Sequence, residues 1–192
     1  MVVLWLMLLL AIITATGLLL SRDWRWSLGL LAGLYLGVFW MVQVHWPITM
    51  ATVKLVTGWM ACAILGIAQI NARVEREKDN IWQQGRLFNV FAAAMVLVVS
   101  FSLSVSMANW LGLSLLVAWG GLLLICLGLL HLGITSDSFR VVIGLLTVMA
   151  GFEVLYSAVE SSALVSALLV VVNLGLALAG AYFLNIAQEK TA

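Results

Sequence analysis

Charge is scarce in this chain. Its 192 residues include nine Lys and Arg and eight Asp and Glu, 9% in all, against 65% hydrophobic, where a soluble domain has about a quarter of its residues charged. With a mean hydropathy of +1.18, too few charges remain to cover a water-soluble globule of this length. A net charge of +1 gives no electrostatic reason to expect nucleic acid as a partner. Cysteine is nearly absent: Cys62 and Cys126 lie inside apolar runs without CxxC spacing, which argues against a disulfide framework and a cysteine metal site. Proline occurs once, as Pro47, so no apolar run is broken by it, and that disfavours a carrier built on discontinuous helices. No stretch alternates apolar and polar residues in segments of about ten, which excludes a transmembrane β-barrel. The two histidines, His45 and His131, fall at opposite ends of their apolar runs and cannot share a haem iron. A glycine-rich phosphate loop and a nucleophile elbow are also missing, so no catalytic centre and no cofactor are implied.

What the chain does have is long apolar runs. They fall near residues 2 to 20, 26 to 43, 47 to 70, 88 to 108, 110 to 132, 139 to 159 and 162 to 186, each close to the roughly 20 residues that cross a bilayer as a helix. Backbone groups facing lipid must be satisfied within the segment, so each run is expected to be helical. The fold class is therefore an all-α integral membrane protein, a bundle of seven transmembrane helices. Span one lacks the basic leader of a secretory signal and is read as a retained helix.

The basic residues are one-sided. Arg22 and Arg25 follow span one, Arg73, Arg76, Lys78 and Arg86 follow span three, Arg140 precedes span six, and Lys190 follows span seven. The connections at Gln43 to Trp46, Ala108 to Asn109 and Glu160 to Ser162 hold none. Because cytoplasmic loops retain Lys and Arg, the N-terminus is expected outside and the C-terminus in the cytoplasm. Trp24 and Trp26 then fall at the inner boundary and Trp40, Trp46 and Trp110 at the outer one, while Trp59 and Trp119 are deep enough to pack between helices. The polar segment 71–88 separates a three-helix part, 1–70, from a four-helix part, 89–192, and is read as a charged cytoplasmic connector that extends span three.

Two groups of residues stand out inside the spans. Gly29, Gly33 and Gly37 recur every four residues and make a smooth stripe for close helix packing. Glu153 lies about 10 Å inside span six, counted from its outer end. A carboxylate at such depth costs roughly 2.5 to 3.5 kcal/mol on insertion scales, so it is expected to face the bundle interior, where it pairs or takes up a proton. Tyr156, Ser157 and Glu160 follow it at i+3, i+4 and i+7 and share its face. Lys54 begins from the same outer side and occupies nearly the same depth, which makes an ion pair with Glu153 geometrically available. Asn173, midway along span seven, is a third polar side chain at membrane depth. These six form a candidate proton or cation relay, with a satisfied structural acid and simple helix-to-helix hydrogen bonding as the alternatives.

The stretch FRVVIGLLTVMAGFEVLYSA followed by ALVSALLVVVNLGLALAGAYF resembles the last two helices of the K subunit of bacterial respiratory complex I and the similar C subunit of Mrp-type cation/proton antiporters. The resemblance rests on a basic residue before the helix, Arg140, and on the run Gly151-Phe152-Glu153. It covers spans five to seven, whose orientation is that of the K subunit. It implies that Glu153 is the membrane-embedded acid of an ion-translocating assembly, with other membrane subunits as partners. One departure is plain: the K subunit has a second acid in its last helix, where this chain has Asn173. Spans one to four are similar in layout to the neighbouring J subunit, and no residue is carried over from that likeness. A non-catalytic scaffold and a free-standing carrier of a small solute are the alternatives.

Overall fold

A computed structural model of the chain describes residues 2–21, 23–71, 83–160 and 162–189. Seven helices account for nearly all of it: α1 (Val2–Leu20), α2 (Trp24–Gln43), α3 (Ile48–Asn71), α4 (Gln83–Leu111), α5 (Leu115–Ile134), α6 (Ser138–Val159) and α7 (Ala163–Glu189). Among the described residues there is no β-strand. By length and composition α2 to α7 are all able to cross a membrane, and the described side chains of α1, Trp5–Leu20, form a shorter apolar helix. This is a multi-pass helical membrane protein.

The helix ends agree with the apolar runs within a few residues except around α4. There the sequence reading ended span four at Ala108 and Asn109, yet the helix runs on to Leu111 and α5 begins only at Leu115. Gly112 supplies the break, at φ +66, a backbone conformation that costs glycine nothing and other residues a Cβ clash. Trp110 is accordingly in the last turn of α4. At its other end α4 starts at Gln83, so part of the segment read as connector is helix; residues 72–82, with Arg73, Arg76 and Lys78, lie outside the described residues, as does the expected extension of α3.

The helices form two rows. In one, α1 packs on α2 and α2 on α3; in the other, α5 packs on α6 and α6 on α7. The rows face each other in register, α1 against α5, α2 against α6 and α3 against α7, and α4 lies on α5 with lighter contact to α1. Each row is a meander of neighbours, which is what short connections between antiparallel helices produce. Two closed rings of four helices result, one of α1, α2, α6 and α5 and one of α2, α3, α7 and α6, and they share the α2–α6 contact.

Small residues set the spacing within the rows. In α5 and α6 the backbones nearly touch: a Cβ on Gly151 would stand 2.6 Å from Gly121 O, and one on Gly128 would stand 3.0 Å from Gly144 O. The glycines repeat at seven residues on both helices and meet in antiparallel register, a close approach that in lipid is driven by packing and not by water. In the other row Gly33 faces Thr14 and Gly37 faces Ala11 and Met7 of α1, whereas nothing lies within 4 Å of Gly29. The glycine stripe on α2 is thus an intramolecular surface at two of its three positions.

Side chains tie the rows together at both ends. Arg140 donates to Leu19 O at 3.2 Å and Ser21 O at 2.9 Å, satisfying carbonyls that the end of α1 leaves without intrahelical partners. At the opposite end Trp46 Nε1 donates to Glu160 O at 3.0 Å. Trp46 is therefore buried, at 4% exposure, and is no interfacial anchor. Trp59 departs from expectation the other way: it is 47% exposed on the outer surface of the bundle, with its indole N–H 3.4 Å from Ala32 O. Trp119, half-buried, packs edge-on against Phe101 at 5.1 Å as a tryptophan between helices does.

Candidate functional site

The interior of the α2, α3, α7, α6 ring is where the polar side chains at membrane depth converge. Lys54 enters from α3, seven residues beyond Pro47, whose carbonyl accepts the first amides of that helix from Met50 and Ala51. Glu153 enters from α6 and Asn173 from α7. Lys54 Nζ stands 2.7 Å from Glu153 Oε1, and both residues are only 2% exposed. Asn173 Nδ2 donates to the same oxygen at 2.8 Å, and Asn173 is 1% exposed. Since α3 and α6 are not adjacent in the ring, the ion pair spans its interior.

The reason for this convergence is the cost of each polar group alone. A lysine or an acid facing lipid at this depth would cost several kcal/mol. Turned inward, the two charges offset each other's desolvation, and the amide adds a hydrogen bond to the charged oxygen. The pairing that equal depth left open is formed.

A fourth member of the cluster comes from α2. Tyr35, 1% exposed, lies against α3 one helical turn from Lys54. Its ring rests on the backbone of α3 at Gly58, where an added Cβ would overlap the ring. One polar side chain from each helix of the ring is therefore present: Tyr35, Lys54, Glu153 and Asn173. The sequence reading missed Tyr35. The available signal was a tyrosine in mid-span, whose hydroxyl must find a polar partner if it is buried.

Hydrogen bonding in the ring is incomplete. Glu153 Oε2, Asn173 Oδ1 and the Tyr35 hydroxyl have no partner among the described residues. Buried polar atoms are satisfied in more than about nine cases of ten, and leaving one unpaired costs about 1–3 kcal/mol. Three such atoms around one ion pair mark a site that carries more polar capacity than its packing uses.

The remaining residues expected on the face of α6 do not join this hydrogen-bond set. Ser157 is buried, but its hydroxyl donates to Val154 O at 2.8 Å. Tyr156 is half-buried, stacked on Phe152 and edge-on to Trp46, each at 6.2 Å, and its hydroxyl has no partner among the described residues. Glu160 is exposed and caps α6; what it contributes to the interior is the backbone carbonyl that Trp46 holds. All three lie between Glu153 and the Glu160 end of α6. On the other side the ring closes on apolar groups, for a Cβ on Gly180 would meet Val142 at 2.7 Å and Leu65 at 3.2 Å. His45 and His131 lie at opposite ends, exposed and buried respectively, and among the described residues no group of three or more His, Cys, Asp and Glu could hold a metal ion.

Comparison with known proteins adds no relative: no family model, no curated protein and no solved structure matches the chain. The class of the protein, a multi-pass helical membrane protein, rests on its helices and its composition.

Proposed function

We propose that the chain is a small membrane subunit of an ion-translocating assembly, related to complex I or to Mrp-type antiporters, in which Glu153 takes up and gives up a proton or cation. The observation that carries this reading is the Lys54–Glu153 pair at 2.7 Å, with 2% exposure on each side chain. An acid enclosed by four helices and held by one lysine has two accessible arrangements. Charged, it is bound to Lys54 and Asn173; protonated, it no longer attracts Lys54, and the ring is free to relax. Tyr156, Ser157 and Glu160 give it a polar approach from the end proposed to face outward. Leu65, Val142 and Gly180 meet on the other side, and coupling requires that the acid not be open to both surfaces at once. The C-terminal resemblance supports the same assignment and names the partners by class, other membrane subunits in a prokaryotic inner or plasma membrane.

A second reading is favoured by the position of the ring between two rows of three helices. Rows that moved against each other would open the ring to one end and then the other, as a carrier of a small solute or ion does. The ties at Arg140 and Trp46 oppose such motion and favour the first reading. A scaffold that uses the pair only to fix helix register is the third.

Inverted membrane vesicles from producing cells test the proposal. Glu153→Gln keeps an amide oxygen for Lys54 and Asn173 to bond but leaves Lys54 without its counter-charge, so the yield of folded chain is measured alongside. Energised proton uptake, normalised to folded chain, should fall to that of vesicles lacking the chain. Uptake equal to that of the unsubstituted protein would remove the relay and leave the scaffold.

A further inference from the structure

We infer that Tyr35 is the proton-passing neighbour of Glu153 on the side away from Tyr156 and Glu160, a role that rests on the relay proposed above. Tyr35 is eleven residues along α2 from Trp24, and Glu153 fifteen along α6 from Ser138. Both helices start at the end marked by Arg25 and Arg140, so the tyrosine lies about one turn, roughly 6 Å, nearer that end. Helical side chains lean toward their own N-terminus, which carries the hydroxyl further the same way. Glu153 therefore stands between two tyrosines, Tyr156 toward one surface and Tyr35 toward the other.

Three observations single out the hydroxyl itself. It is buried without a partner among the described residues, and so is Glu153 Oε2. The Tyr35 ring lies on α3 at Gly58, one helical turn from the Lys54 that holds Glu153. Lys54 and Asn173 both hold Oε1, so Oε2 is the oxygen left to make another bond. The ring of Tyr35 is located by the absence of a side chain at Gly58, and a phenylalanine would fill that place as well; packing does not call for the oxygen.

A tyrosine hydroxyl both donates and accepts, which allows a transfer that leaves it neutral. The O–H bond of protonated Glu153 breaks as its proton passes to a water molecule between Oε2 and the hydroxyl, and that water gives one of its own protons to the Tyr35 oxygen. The original Tyr35 O–H bond breaks as its proton passes to a water molecule admitted from the Arg140 end when the apolar contact of Leu65, Val142 and Gly180 opens. One proton has moved, and the carboxylate is again charged and bound to Lys54.

Tyr35→Phe removes only the oxygen. In the same inverted vesicles, with uptake normalised to folded chain, the variant should lose at least about tenfold in rate while its melting temperature in detergent stays that of the parent. A tyrosine that only packs would leave the rate, like the melting temperature, at the parent value. Tyr35→Phe at the parent rate with Glu153→Gln at background overturns the role of Tyr35 and leaves the relay standing. Both variants at the parent rate, or a parent no faster than vesicles without the chain, overturns both.

Discussion

At the scale of single residues, Lys54 and Glu153 are expected to behave as one unit. Removing one member of a buried pair strands the other charge at a cost of about 3–5 kcal/mol, whereas replacing both with apolar groups of similar volume is often neutral. Lys54→Met should therefore destabilise the protein by about 3–5 kcal/mol, and adding Glu153→Met should restore most of the loss, as measured by unfolding in mixed micelles. Equal, additive losses would mean that the 2.7 Å pair contributes no coupling. Gly58→Ala is expected to be costly for a different reason, since its Cβ would overlap the ring of Tyr35 in a position set by helix backbone. Lys54, Glu153 and Asn173 were legible in the sequence because each is a polar residue in an apolar run. Tyr35 was not, because a tyrosine is half apolar and belongs in such a run without comment. Ser157 and Glu160 shared the face of Glu153, but face alone does not decide bonding: the serine found a carbonyl of its own helix and the glutamate reached the surface.

At the scale of helices, contact between α5 and α6 is set by four glycines that no apolar-run reading brings out, since pairing 121 with 151 and 128 with 144 requires knowing which helices touch. Gly151→Ala should cost about 1–3 kcal/mol by overpacking, or more if α6 must move bodily. Gly29→Ala, with nothing within 4 Å, should be neutral or should gain up to about 1 kcal/mol of helix propensity. Thermal unfolding of the two variants side by side checks the contrast; similar effects would contradict the register described. The boundary between α4 and α5 was misplaced because Asn109 is the more polar residue, while Gly112 is the one whose backbone ends the helix. Trp46 was misjudged for a related reason: an indole near a span end reads as an interfacial anchor, and only the partner connector at Glu160 reveals it as a link between rows. Trp46→Phe should lose that hydrogen bond and about 1 kcal/mol.

At the scale of the whole molecule, the number and extent of the helices followed from composition, because lipid admits few alternatives to a continuous apolar helix. The order of helices around the bundle did not follow from sequence, since depth along a span carries no information about its neighbours. The two facing rows are a product of packing alone. Orientation is an expectation from the sequence, in which eight basic residues fall in connections on one side. In a chain carrying Cys62→Ala and Cys126→Ala, an impermeant thiol reagent should label His45→Cys on intact cells and Ser136→Cys only after permeabilisation, and the opposite pattern would invert the topology and the direction of the relay.

The central claim is that an enclosed carboxyl group changes its protonation state while the bundle stays folded. Difference infrared spectroscopy of the protein in lipid, recorded between acidic and alkaline buffer, reads this directly. A reversible carboxylic-acid band that is absent in Glu153→Gln is the expected result. A spectrum with no such band across the range in which the protein remains folded would mean that Glu153 is permanently locked to Lys54, and the ion-handling role would fall.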